Sequence, residues 1–449
     1  MSTRRVVITG MGWITPLGDD VEAVWARLLR GEAAIGPVTR FEAQSFATNF
    51  AAEVKDFDLG RVMGPAAAAH GGAGLSTQFA LAAAARAWHS AKLGSLDGAP
   101  APGFRPRRMG VYLGAGEGSL DFAAFSSALL AGWDPESRRV RGGPWSAVVE
   151  ARFHPVRELE QEPHLTLSHV ATAFGCRGPA SNCMTACAAS TQATGEAFEI
   201  IRRGDADLMF AGGAHSMIHP LGMTGFIRLT AMSTRRDDPL AASRPFDRTR
   251  DGFVMGEGAG MLVLEELEHA LQRGAEPLAE VIGYGSSADA FRITDIEPDG
   301  RGAQMAMRKA LRQAGIDPTR PGPDGRPQVH YISAHGTGTQ ENDGIETAAV
   351  KGVFGDLAPK VPFSSVKSML GHLIQAAGAV ELMTCVQAIR TGWLPPTANL
   401  HNPDPRCDLD YVPNVARDMR DAGGVEVCIS NGFGFGGQND TVAVRKYRA

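Results

Sequence analysis

The sequence predicts an α/β fold, and three observations point to it. Short apolar runs of buried-strand type recur along the 449 residues. Stretches with helical spacing alternate with them, the signature of helices packed on a sheet. Many of the 54 glycines fall in clusters beside those runs, where tight turns and close backbone approaches belong.

Taken in order, the run Arg5-Val6-Val7-Ile8-Thr9-Gly10-Met11-Gly12 reads as a buried strand ending in a glycine turn. Val21 to Leu29 has helical spacing, with Gly31 as its stop. Further strands are predicted at Gly110–Gly114, Leu208–Gly213 and Gly260–Leu264. A helix-like run follows Cys187 and continues through Ile200-Ile201-Arg202-Arg203 to Gly204. A second series begins at Ala279–Gly283 and takes in helix-like stretches at Ala303–Ala314 and Leu373–Arg390. It also holds strands at Val329–Ser333, Val427–Ser430 and Thr441–Val444. Each series carries a small-residue helix with a reactive residue at its start, Cys187 in the first and His372 in the second. The pattern points to a duplicated fold, 1–270 and 271–449, with an active site where the halves meet. Pro135 to Pro163, rich in Arg, Glu, Pro and Gly, reads as a surface excursion.

Composition narrows the function. A net charge of −5 argues against general nucleic acid binding. Neither the N-terminus nor any later stretch is apolar enough for a signal peptide or a bilayer span, so membrane insertion is not expected. Six scattered cysteines with no C-x-x-C pair argue against a zinc ribbon, and the expected setting is a reducing cytoplasm. Cys176, Cys183 and Cys187 near His215 fit no metal spacing, so no metal is assigned.

Four stretches carry chemistry. In Met184-Thr185-Ala186-Cys187-Ala188-Ala189-Ser190 a cysteine sits among tiny residues at a predicted helix start, where backbone N–H groups and the helix dipole favour a thiolate. A lone cysteine on an apolar helix is more often an inert core residue. Ser333-Ala334-His335-Gly336-Thr337-Gly338-Thr339 follows an apolar strand, a common place for a functional loop. Lys367 and His372, within Ser364 to His372, precede the Ala/Gly-rich helix. The stretch Ser430-Asn431-Gly432-Phe433-Gly434-Phe435-Gly436-Gly437-Gln438-Asn439 matches neither G-K-[ST] nor G-x-G-x-x-G, which argues against a nucleotide site.

In this order, Thr-Ala-Cys, His-Gly-Thr-Gly-Thr, Lys-Ser-x-x-Gly-His and Asn-Gly-Phe-Gly-Phe-Gly-Gly resemble the elongating β-ketoacyl-acyl carrier protein synthases. The resemblance runs nearly end to end and includes Val6 to Gly18, Ser243 to Phe253 and Asn402 to Asp410. It implies a thiolase-like, five-layered αβαβα fold from two similar halves, usually homodimeric, catalysing decarboxylative Claisen condensation. By position, Cys187 matches the acyl-accepting nucleophile, and the backbone N–H groups of Cys187 and Phe433 match the oxyanion hole. His335 and His372 match the pair that stabilises the enolate left by malonyl decarboxylation. Lys367 is expected to pair with Glu346. Thr337 and Thr339 match contacts to the phosphopantetheine arm, and Phe253 and Phe433 match aromatics at the reacting carboxylate and the acyl gate. In some members a cation lies behind the site, with Ser333, Glu381, Ser430 and Asn431 here at the matching positions.

The resemblance implies no cofactor beyond the phosphopantetheine of acyl carrier protein. That carrier is the implied partner, with a second ketosynthase-like chain as an alternative mate in the dimer. Glu117, in Gly116-Glu117-Gly118, replaces an apolar acyl-pocket residue of many relatives. With Ser190, Gln192 and Ala290-Phe291-Arg292 it points away from routine long-chain elongation, toward short, polar, aminoacyl or polyene-type acyl groups; the alternative is that Glu117 turns outward or pairs with an arginine. Two rivals are disfavoured. A non-catalytic chain-length partner would lack the cysteine, and a plain thiolase uses a second cysteine where this chain has His372 or its neighbours.

Overall fold

The computed structural model describes residues 4–96, 105–116 and 121–449. Among the described residues ten strands form one hydrogen-bonded sheet, and they fall into two groups of five. The first group is β1 (Val6–Ile14), β2 (Met109–Gly114), β3 (Ala180–Cys183), β4 (Leu208–His215) and β5 (Gly258–Glu266). The second is β6 (Ala279–Ala288), β7 (Tyr331–Ser333), β8 (Phe363–Ser364), β9 (Val427–Gly434) and β10 (Gln438–Arg445). The order across the sheet is β8-β7-β9-β10-β6-β1-β5-β4-β2-β3. Read outward from the seam, each group runs first, fifth, fourth, second, third. Pairing directions repeat as well: β2 is parallel to β3 and β4, as β7 is to β8 and β9, and the other pairs within each group are antiparallel. The seam is short, with Val6, Val7 and Ile8 facing Val281, Glu280 and Ala279.

The principal helices are α1 (Val21–Leu29), α2 (Leu75–Ser90), α3 (Ala189–Arg203), α4 (Arg301–Gln313), α5 (Asn342–Phe354) and α6 (Ala377–Thr391). Helix α2 covers the outer face of the first group at β1 and β5, and α4 covers that of the second at β6 and β10. Between the groups lie α3 and α6, packed on each other. This gives the five-layered thiolase-like αβαβα fold. All nine residues of β1 and thirteen of fifteen in α6 are buried, as central layers require. Helix α1 forms over the predicted residues, capped where Asp20 accepts the Ala23 N–H at 2.8 Å.

The two central helices start and stop alike. A non-glycine residue at positive φ (Ala186 at 47°, Ile374 at 41°) opens a 3-10 turn, Ala186–Ala188 or Ile374–Ala376, and the helix follows. Each is fifteen residues long and ends on a left-handed glycine, Gly204 or Gly392. Such a φ costs about 1–3 kcal/mol and persists only where the surroundings enforce it. Cys187 therefore lies in the turn before α3 rather than on its first helical residue. His372 lies further back, and the residue that corresponds position for position to Cys187 is Gln375.

The stretch from Pro135 to Pro163 holds more structure than a surface loop. A short hairpin (Trp133–Asp134 with Arg139–Val140) leads to helices at Gly142–Arg152 and Pro155–Leu159. Its far end is tied down by Glu160, whose carboxylate lies 2.8 Å from His169 Nε2, while His169 Nδ1 lies 2.8 Å from His70 Nδ1. Among the described residues no helix is long and apolar enough to cross a membrane.

Candidate active site

The ends of β7 and β9, the Cys187 turn and the loop carrying His372 converge on one cavity of about 310 Å³. Cys187, Phe253, His335, Thr337, Thr339, His372 and Phe433 all line it. The reactive atoms of Cys187, His335 and His372 lie within 4.8 Å of one another, and all three residues are buried. The imidazoles meet edge to face, with ring centres 5.5 Å apart. Phe253 stands edge-on to His372 at 5.3 Å, and Phe433 leans on His335 at 5.7 Å. A larger cleft of about 650 Å³ opens near the end of β1, among Thr15, Arg27, Lys55 and Arg86, and holds neither the cysteine nor either histidine.

Local sequence explains the convergence. Strand β9 must pass the Cys187 turn closely, because a Cβ on Gly434 would stand 2.7 Å from the Thr185 carbonyl and 3.3 Å from the Cys187 nitrogen. Only glycine leaves that approach open. The loop after β7 is held from behind: Glu346 on α5 accepts the backbone N–H groups of His335 and Gly336, each at 2.8 Å. Thr337 and Thr339 follow, their hydroxyls 3.1 Å apart at the cavity wall.

The expected Lys367–Glu346 pair does not form. Lys367 Nζ instead contacts Glu381 of α6 and donates to the His335 carbonyl at 2.5 Å. Glu346 is committed to two backbone donors and to Asn431 Nδ2 at 3.3 Å, whereas α6 brings Glu381 directly against the ammonium. A lone acid within the apolar run Ala377-Gly378-Ala379-Val380-Glu381-Leu382-Met383 was the available signal, since a buried carboxylate needs a partner. Burial pushes both Glu346 and Glu381 up to about 7, and Lys367 holds Glu381 back from rising further. Of the four matched cation positions, Glu381 Oε2 and Ser430 Oγ are buried without a hydrogen-bond partner among the described residues. That suits a small cation, which would brace Glu381 and take no part in the chemistry.

Burial first, and then the Lys367 charge, hold both histidines well below the ordinary imidazole pKa, so both are neutral near pH 7. His372 Nδ1 accepts the Ile374 N–H at 3.2 Å, which places the ring proton on Nε2. His372 Nε2 is buried and has no partner among the described residues, leaving a donor free for a ligand oxygen. Glu117 lies outside the described residues.

Two family matches cover most of the chain: the β-ketoacyl synthase N-terminal domain over residues 3–270 and the β-ketoacyl synthase C-terminal domain over 278–401. The chain belongs to the β-ketoacyl synthase family. It is a condensing acyltransferase. It is 41% identical over 448 residues to 3-oxoacyl-[acyl-carrier-protein] synthase 2 of Synechocystis, covering 100% of this chain and 99% of that one. Among solved structures, the ishigamide ketosynthase/chain length factor is similar at a TM-score of 0.83 and 34% identity, with both chains covered in full. A type II polyketide synthase acyl carrier protein in complex with its ketosynthase bound to the hexaketide gives 0.82 and 32%, covering 99% of this synthase and 100% of that chain.

Proposed function

We propose that this β-ketoacyl synthase condenses an acyl group with malonyl-acyl carrier protein, and that Cys187, His335 and His372 carry the reaction. One observation carries the assignment of roles: a cysteine and two neutral imidazoles meet within 4.8 Å on one cavity wall. The Cys187 thiolate attacks the thioester carbonyl, the C–S bond breaks, and the carrier leaves as a thiolate that takes its proton from water. The Cys187 and Phe433 N–H groups stabilise the tetrahedral oxyanion. The malonyl thioester then enters past Thr337 and Thr339. Its carbon–carboxylate bond breaks, CO₂ departs, and the electron pair becomes an enolate whose oxygen accepts hydrogen bonds from His335 and His372. The enolate carbon attacks the acyl carbonyl, and Cys187 leaves as thiolate.

Neutral imidazoles suit this task, because donors that strengthen only as charge develops stabilise the transition state more than the substrate. Lys367 acts through the His335 carbonyl and Glu381, and Glu346 holds the His335 loop; both position the histidines. Phe253 and Phe433 pack the histidines and wall the reacting groups. The enzyme works in the cytoplasm on carrier-bound substrates, needs no cofactor of its own, and pairs as a homodimer or with a second synthase-like chain.

Intact-mass analysis with acyl-acyl carrier protein tests the roles. The native enzyme gains the acyl mass and Cys187→Ala does not. His335→Ala and His372→Ala still acylate but release CO₂ from malonyl-carrier far more slowly, by about 10²-fold or more. An acyl adduct on Cys187→Ala, or undiminished decarboxylation in both histidine variants, overturns the assignment.

A further inference from the structure

The elbow that presents Cys187 has a twin, and the twin presents Gln375. Both turns follow a residue at positive φ and lead into fifteen-residue helices with left-handed glycine stops, so their side chains leave the backbone in matching directions. The Cys187 turn abuts β9 of the second group at Gly434. The Gln375 turn abuts β4 of the first group at Gly213, where an added Cβ would lie 2.5 Å from the Gln375 carbonyl and 2.6 Å from that of Gly114. Gln375 therefore stands at the ends of β2 and β4 much as Cys187 stands against β9.

That position adjoins the buried apolar residues around Cys187. Cys187 shares an apolar cluster with Ile374, the residue beside Gln375, and with Ile218 and Met223, which follow the end of β4. An acyl chain on Cys187 that packs into this cluster comes beside Gln375. Gln375 is only 3% exposed, and its Oε1 is buried with no hydrogen-bond partner among the described residues. A buried amide left unpaired is costly, and its natural remedy is a donor supplied by a ligand.

We infer that Gln375 determines acyl specificity: its amide oxygen takes a hydrogen bond from the bound acyl group, favouring chains that carry a hydroxyl or an N–H over saturated chains of equal length. The inference rests on the condensing reaction proposed above and adds the substrate class.

Competitive loading tests it, with butanoyl, β-hydroxybutanoyl and β-aminobutanoyl thioesters of acyl carrier protein offered together and the adducts on Cys187 resolved by intact mass. The native enzyme should favour a hydroxylated or aminated chain over butanoyl by about tenfold, the scale of one buried hydrogen bond. Gln375→Leu should abolish that preference while still loading butanoyl, and Gln375→Met, which keeps the side-chain length, guards against misfolding of the first variant. An unchanged adduct ratio in either folded variant, or no preference in the native enzyme, overturns the inference. Absence of every adduct on the native enzyme overturns the condensing reading itself, and the inference with it.

Discussion

Removing the Lys367 charge tests how the site is held together. Lys367 and Glu381 are each 2% exposed, so Lys367→Met strands a carboxylate in the core. Breaking such a pair typically costs about 3–5 kcal/mol, while replacing both partners with apolar residues is often near neutral. Glu381 has an escape, because burial already raises its pKa to about 7 from an ordinary 4.5. Without Lys367 that pKa moves higher still, and the carboxyl protonates instead of remaining charged. A carboxyl with a raised folded pKa gives stability that is fully present below its unfolded pKa and lost as the pH rises through its folded one. The Lys367→Met penalty should therefore be small near pH 4.5 and reach about 3 kcal/mol above pH 7. The double variant Lys367→Met/Glu381→Leu should recover most of it, a coupling energy of about 2–3 kcal/mol. Urea-unfolding midpoints of the native protein, both single variants and the double variant, at pH values on either side of 7, supply the cycle. Additive single-variant effects, or a penalty that does not change with pH, would refute the reasoning.

Other consequences are equally open to measurement. Glu346→Gln puts an amide nitrogen against one of two backbone donors, so it should cost about 1–3 kcal/mol and slow decarboxylation more than acylation. Because Glu346 is also raised to about 7, the native protein's advantage over Glu346→Gln should shrink as the pH climbs from 4.5 through 7, as thermal melts at several pH values will show. Gly434→Ala should push β9 off the Cys187 turn and slow acylation by roughly 10²-fold, read by time-resolved intact mass. Gly378→Ala would place a methyl 1.9 Å from Thr191 Oγ1 between the central helices, and unfolding should show a loss of about 1–3 kcal/mol or more.

Much of this was legible in the chain. The strands that read as uninterrupted apolar runs lie in the central layers, where period-two alternation is not needed and burial alone marks them. Cys187, His335, His372 and the Phe433 loop stood out because glycines and alanines beside a polar residue signal close approach rather than solvation. Helix starts were less legible. Positive φ at Ala186 and Ile374 leaves no mark in the sequence, since alanine and isoleucine disfavour that conformation, so the turns before α3 and α6 read as helix. The partner of Lys367 was missed for a related reason: Glu346 and Glu381 are both buried acids in helices, and only the packing of α6 decides which one meets the ammonium. Gln375 gave no signal because its meaning depends on superposing one half of the fold on the other.

Strand β9 has a consequence for biosynthesis. Protein synthesis is vectorial, and Val427–Gly434 leaves the ribosome after Cys187, His335 and His372, although it pairs between β7 and β10 and closes over the Cys187 turn. A nascent chain already carrying Cys187, His335 and His372 still lacks the backbone wall that Phe433 and Gly434 complete. On the roles proposed above, the thiol becomes competent only once β9 has followed, and a product truncated before it has a nucleophile with nothing to receive the oxyanion.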